Sequence, residues 1–167
     1  MNGNALFECS FLVSKGEENY SMIKKNDVPD SGGPIFDRLR VADLMEKEVQ
    51  CGHEQTKGDV LASMMIEGFG GVPIVDGNQR LIGIVTEFDL LAVLDTGKKL
   101  SDISAGQIMT HETVSVTPDT DIRTLIYVLQ TNHVIRVPVI DNKDGKLIGI
   151  VARRDILLGY VSSEPEY

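Results

Sequence analysis

Leu81-Ile82-Gly83-Ile84-Val85-Thr86-Glu87-Phe88-Asp89 and Leu147-Ile148-Gly149-Ile150-Val151-Ala152-Arg153-Arg154-Asp155 are two copies of one stretch. Their first five positions are identical, and each copy reaches an aspartate at the same distance from its glycine. A short apolar run rich in β-branched residues reads as a buried strand rather than a helix. Phe88–Leu94 and Asp155–Tyr160, which follow, read as the starts of helices. Each aspartate therefore sits where a strand hands over to a helix. Backbone N–H groups there lack partners within the helix, which suits the place to a polar ligand.

The duplication extends upstream. Val72-Pro73-Ile74-Val75-Asp76 matches Val137-Pro138-Val139-Ile140-Asp141, and each is followed by a turn. Asp43-Leu44-Met45 parallels Gln107-Ile108-Met109, and Val49-Gln50-Cys51 parallels Val114-Ser115-Val116. The offset is about 65 residues, and the pattern occurs twice, which indicates a duplicated unit rather than a solenoid.

Between these landmarks the periodicity fills in. In the first copy we expect a short helix over Phe36–Met45, capped by Asp37 or Asp43, and a brief strand at Val49–Cys51. A helix at Asp59–Glu67 follows, then strands Val72–Val75 and Leu81–Val85 joined by a Gly77-Asn78 turn. A helix over Glu87–Leu94 completes the copy. The second copy repeats the order: a lead-in at Ala105–Met109, a strand at Thr113–Val116, and a helix opened by Thr117-Pro118-Asp119. Strands Arg136–Ile140 and Lys146–Val151 and a helix from Arg154 to Val161 follow. Each unit reads β-α-β-β-α, an α/β (α+β) class in which one unit's apolar face is buried against the other. The expected organisation is an N-terminal extension and linker at 1–36, repeats at 37–99 and 100–161, and a polar tail at 162–167. Met22 is an alternative start.

The chain has 167 residues, 42% hydrophobic and 25% charged, with a net charge of −9. That excess of acid argues against nonspecific contact with nucleic acid or anionic membrane. Cys9 and Cys51 do not form a disulfide framework. With no 18-residue apolar run and no signal-peptide pattern, a cytoplasmic location is expected.

On these residues the chain resembles a tandem pair of cystathionine-β-synthase (CBS) domains, a Bateman module. The resemblance rests on the duplicated unit, on Val-Pro-hydrophobic-hydrophobic-Asp, and on Gly83-Ile84-Val85-Thr86-x-x-Asp89, and it covers roughly residues 37–161. It implies a pseudo-twofold disc that binds adenine nucleotides or related adenosyl compounds in clefts between the repeats. It implies regulation of a partner protein, with no chemistry of its own and no required cofactor. Carried over residue by residue, it assigns Asp89, Asp155 and Thr86 to the ribose. A carboxylate at a helix start can accept two hydrogen bonds from a cis-diol, and a nearby hydroxyl can serve ribose or phosphate. Ala152 stands where Thr86 stands, so the second repeat lacks that hydroxyl. Arg136, Arg153 and Arg154 are the phosphate candidates, since guanidinium geometry suits phosphate oxygens. Their first-repeat counterparts, Gly71, Glu87 and Phe88, offer no positive charge, so one site with phosphate affinity and one weaker or empty site are expected. Either cleft is open to each arginine at this stage. Val49, Val72, Pro73, Val114, Val137 and Pro138 are candidate walls for a base.

Plainer readings compete. Thr86-x-x-Asp89 is also a capping box, and Arg153-Arg154 a solvated helix start, although arginine there opposes the helix dipole. Cys51-Gly52-His53 reads as a surface turn rather than a metal site, since no third ligand is in view. His111 and His133 read as structural or solvated, and Met45, Met64, Met65 and Met109 as core filler. No nucleophile elbow or phosphate-binding glycine loop is present, so no enzyme activity is expected. A homodimer is expected from apolar helix faces at Phe88, Leu91 and Leu94, or at Leu157-Leu158. The alternative function is a structural or partner-docking module with vestigial pockets.

Overall fold

The computed structural model describes residues 35–68 and 70–163. The expectations for the first 34 residues, including Cys9, Met22 and the Pro29–Pro34 linker, and for the tail residues 164–167 lie outside the described residues. Element order is α1 (Ile35–Arg38), α2 (Val41–Leu44), α3 (Gly58–Ile66), β1 (Gly71–Val75), β2 (Leu81–Thr86), α4 (Glu87–Asp95), a 3₁₀ turn (Leu100–Asp102), α5 (Ala105–Ile108), α6 (Ile122–Thr131), β3 (Arg136–Ile140), β4 (Leu147–Ala152) and α7 (Arg153–Ser163). The two antiparallel hairpins β1–β2 and β3–β4 share one register: Pro73 faces Ile84, Pro138 faces Ile150, and both slip just before the turn.

The first strand of each unit shrinks to a single parallel bridge, at Gly52↔Ile74 and at Val116↔Val139. The prolines explain this. Gly52 N–H donates to Pro73 O (2.8 Å), and Val75 N–H donates to Gly52 O (2.9 Å). The next rung of a parallel ladder would need an N–H from residue 73 to the carbonyl of residue 50, and proline has none. Pro138 limits the strand at Val116 in the same way.

Each core contains a segment from the other repeat. Leu39 and Val41 are buried with Val116, Ile122, Leu125, Leu129, Val137 and Ile156 in the second core. Ala105 and Met109 are buried with Leu61, Met65, Val72, Val85 and Leu90 in the first. Backbone bonds fix the exchange: Glu46 pairs reciprocally with Ile150, and Thr110 with Ile84. Gly83 and Gly149 are glycine because of it. A β-carbon on Gly83 would stand 2.5 Å from Met109 Sδ and 3.1 Å from Thr110 O; on Gly149 it would meet Met45 Sδ at 2.8 Å and Glu46 O at 3.0 Å. The hairpin tips are joined too, by Leu81 N–H to Gly145 O (3.2 Å) and Leu147 N–H to Gln79 O (2.9 Å).

Several local expectations are corrected. Phe36–Met45 forms two four-residue helical turns broken at Leu39-Arg40. The cap of α6 is Asp121, whose Oδ1 accepts from Thr124 N–H (2.9 Å), while Thr117–Thr120 is a closed turn ahead of it. The first hairpin turn spans Asp76–Arg80, with Gln79 in the left-handed region (φ 65°) and Asp76 Oδ1 accepting from Asn78 and Arg80 N–H. Cys51-Gly52 is not a surface turn: both residues are buried, because this is the segment that bridges to β1. No described helix is long and apolar enough to cross a membrane.

Candidate functional site

The register places the start of each Val-Pro strand beside the end of its Gly-Ile-Val strand: Gly71 opposite Thr86, and Arg136 opposite Ala152. The helices α4 and α7 leave from the same end, away from the joined hairpin tips. Thr86 and Asp89 therefore collect at the open end of the first hairpin, and Asp155, Arg136, Arg153 and Arg154 at that of the second.

In the first repeat Thr86 caps α4. Its N–H and its hydroxyl both donate to Asp89 Oδ2 at 2.7 Å, and Asp89 N–H returns a 3.4 Å bond to Thr86 Oγ1. The capping box is thus real, and it uses Thr86 and one oxygen of Asp89. Asp89 Oδ1 makes no hydrogen bond among the described residues, so it retains its capacity to accept one. Glu87 is exposed, with Oε2 3.7 Å from the β-carbon position of Gly70, just ahead of β1.

In the second repeat Ala152 N–H donates to Asp155 Oδ2 at 2.7 Å, the same backbone bond without the hydroxyl. Burial pushes the Asp155 carboxyl above the ordinary aspartate value. The Ala152 bond and the charges of Arg154 and Arg136 pull it down, and Glu46 adds to the upward push. Glu46 belongs to the first repeat, so this environment is built from both halves. Arg136 spans them as well: its Nη2 reaches Gly68 O at the end of α3, at 3.5 Å. Arg153 is turned elsewhere, its Nε donating to Val134 O at 2.9 Å. The structure thus gathers Asp155, Arg136, Arg154 and Glu46, and leaves Arg153 tied to its own repeat.

The apolar candidates divide. Val72 and Val137 are fully buried in the two cores, and Pro73 and Pro138 are buried with them, so their side chains have no surface to present. Val49 and Val114 are half-buried. Glu46 was missed in the sequence; the Met45/Met109 parallel was the available signal, since it marks the segments that cross between repeats. Also missed was a concavity of about 350 Å³ at the hairpin end of the first repeat, bordered by His53, Glu54, Asp76, Gly77, Met109 and His111. At the matching place in the second repeat Asn142 Nδ2 bonds Asp119 Oδ2 (3.0 Å), which Gly77 cannot imitate. No group of three or more His, Cys, Asp or Glu among the described residues could hold a metal ion.

A family model described as "CBS domain" matches residues 41–96 and 105–162. Inosine-5'-monophosphate dehydrogenase of Methanocaldococcus jannaschii is 33% identical over 114 residues, covering 68% of this chain and 22% of that enzyme. The chain spans less than two thirds of the length of several curated relatives it matches, between 22% and 61% of them. Among solved structures, CBSX2 in complex with AMP is 27% identical, with a TM-score of 0.65 over 73% of this chain and 96% of that one. The CBS domain pair of protein MJ0100, in complex with 5-methylthioadenosine and S-adenosyl-L-methionine, is 26% identical, with a TM-score of 0.63 over 71% and 97%.

Proposed function

The chain belongs to the CBS domain family, and from that premise we propose that it is a regulatory module whose clefts take an adenosine phosphate or a related adenosyl compound. The observation that carries this reading is the mixed set around Asp155. A half-buried carboxylate, raised by burial, stands near two guanidinium groups, and one of these reaches across to the other repeat. The carboxylate accepts from the ribose diol, and Arg136 and Arg154 face the phosphate. The contact of Arg136 with Gly68 O, at 3.5 Å, is long for a hydrogen bond and easily exchanged for a phosphate oxygen. Because Glu46 and Gly68 come from the first repeat, a ligand here alters how the repeats meet, and a partner protein can read that change.

Similar CBS pairs bound to AMP and to thio-adenosyl compounds support the ligand class. Calorimetry across AMP, ADP, ATP, NAD and S-adenosylmethionine tests it. Asp155→Ala should lose about 1.5–3 kcal/mol of binding, the range for a hydrogen bond to a charged group. Arg136→Ala and Arg154→Ala should weaken AMP and ATP far more than adenosine. A parent protein that binds no adenine compound, or three variants that bind as the parent does, defeats the reading.

The outer faces of α4 and α7 favour self-association alongside this role. Phe88 (79% exposed), Leu91 and Leu94 line one, and Leu157, Tyr160 and Val161 the other, while Leu158 is half-buried. A homodimer covering these faces is the second element of the proposal. Light scattering that gives a monomer mass at tens of micromolar counts against it.

A further inference from the structure

Residues 35–46 lead into the first repeat, yet they lie along α7, the helix that carries Asp155. At one end the Phe36 ring stands 5.3 Å from that of Tyr160, edge to face at 82°. Next, Leu39 and Leu44 close on Gly159, where a β-carbon would stand 3.2 Å from Leu39 Cδ1 and 2.6 Å from Leu44 Cδ2. At the other end Glu46 exchanges backbone bonds with Ile150, two residues before the Ala152 that bonds Asp155. The segment thus follows α7 from Tyr160 back toward Asp155. Arg123 of α6 adds a guanidinium 5.8 Å from the Phe36 ring centre and an ion pair with Asp37. That pair is 69% and 39% exposed, so it contributes little, and the ring contact is the firmer hold.

The lead-in of the second repeat is seated differently. Val93 stands on α4 where Gly159 stands on α7. Leu100, the counterpart of Phe36, makes its closest glycine approach at α3, where a β-carbon on Gly58 would stand 2.8 Å from Leu100 O. The glycine that admits a lead-in is therefore on the carboxylate's own helix in the second repeat, and on another helix in the first.

We propose that residues 35–46 and α7 move as one unit, so that occupancy of the second-repeat cleft, at Asp155, is coupled to the seating of Phe36 on Tyr160. Phe36 is then a positioning residue for that cleft and not for the one at Asp89. This rests on the adenosyl reading above and names how its site is regulated. Gly159 lies one turn beyond Asp155, about 6 Å along the helix, and close packing passes a displacement on rather than absorbing it. The coupling is reciprocal: lifting Phe36 weakens the ligand, and the ligand holds Phe36 down.

The test uses the full chain with AMP as the probe. Phe36→Ala should weaken AMP about fivefold, the low end of such couplings, and Phe36→Tyr, which keeps the ring, should bind as the parent does. Leu100→Ala removes the matching side chain and should leave AMP affinity unchanged. Hydrogen exchange on the parent gives a reading that stands even if Phe36→Ala does not fold. Val41, Ala42 and Glu46 donate to the carbonyls of Thr120, Pro118 and Ile150, and AMP should slow their exchange. Their counterparts Ala105, Gly106 and Thr110, which donate to Thr56, Glu54 and Ile84, should be slowed less. A Phe36→Ala protein that binds AMP as the parent does overturns the proposal. So does equal weakening by Leu100→Ala, or protection gained equally in both lead-ins; in these cases the adenosyl reading stands. A parent protein that binds no adenosyl compound defeats both.

Discussion

The first repeat closes β2 with Thr86 and opens α4 with Glu87-Phe88, whereas the second closes β4 with Ala152 and opens α7 with Arg153-Arg154. Over the five preceding residues the copies are identical in sequence. Gly83 and Gly149 each lie under a methionine from the other repeat, and Val85 and Val151 are each fully buried. Identity thus holds where side chains pack and lapses where they face solvent or the cleft. The duplication preserved the scaffold and left the chemistry free to diverge.

The largest expected effects test whether the halves are equivalent as scaffolds. Leu61 and Leu125 occupy matching places on α3 and α6, each fully buried. Leu61→Ala and Leu125→Ala should each destabilise by about 2–5 kcal/mol, the range for large-to-small core changes. Because each core contains a segment of the other repeat, urea unfolding should remain one transition in both variants. A second transition, with one half melting first, breaks the equivalence.

The next effect reports the exchange itself. Gly83→Ala and Gly149→Ala should each cost about 1–3 kcal/mol, since the added carbon meets a flexible methionine but also a backbone oxygen fixed by the bridge. Pairing Gly83→Ala with Met109→Ala in a double-mutant cycle should show coupling across the repeats. Strict additivity there would mean that the contact carries no energy.

This exchange is also where the sequence stopped being legible. Hairpins and long helices could be read because their apolar residues recur with the right period: Arg136–Ile140 is as expected, and Leu81–Thr86 is one residue longer than expected. Leu44-Met45 and Ile108-Met109 were seen to be parallel, but nothing in a linear pattern says that each crosses to the other unit. Nothing in the linear pattern therefore brings Glu46 near Asp155, and the sequence reads Cys51 as a surface residue although it is buried. Pro73 and Pro138 served as markers of the family motif, while their effect on the neighbouring strand depended on a partner far away in sequence. At the site, the carboxylates were legible because they end a repeated run. That Val72 and Val137 are sealed in cores followed only from the packing.

A smaller effect should separate the two helix starts. Thr86→Ala removes the hydroxyl that caps α4 and should cost about 1 kcal/mol. Ala152→Thr supplies the same group to α7 and should stabilise by a few tenths of a kcal/mol up to about 1. Thermal melts of the two variants and their combination read this directly. Equal and opposite shifts would mean that the repeats differ here only in capping. A loss in Ala152→Thr would mean that the neighbouring arginines or Glu46 have claimed the space.

The smallest expected effect concerns protons. Burial raises the Asp155 carboxyl above its ordinary value of 3.8, and its first-repeat counterpart sits in a capping box with a hydroxyl at hand. A group that holds its proton more tightly when folded contributes stability below its unfolded pKa, and loses that contribution as pH rises through the folded value. Asp155→Asn keeps an acceptor for the Ala152 N–H and removes the titration. Its melting temperature relative to the parent should therefore rise from acid toward neutral pH, with the change confined to the range just above 3.8. Ligand binding should move the other way, because the diol needs the ionised carboxylate. Adenosine affinity at the second cleft should weaken on acidification in that same range. A relative melting temperature that falls toward neutral pH would mean that the arginines outweigh burial at Asp155, and that the charged form is the one the fold prefers.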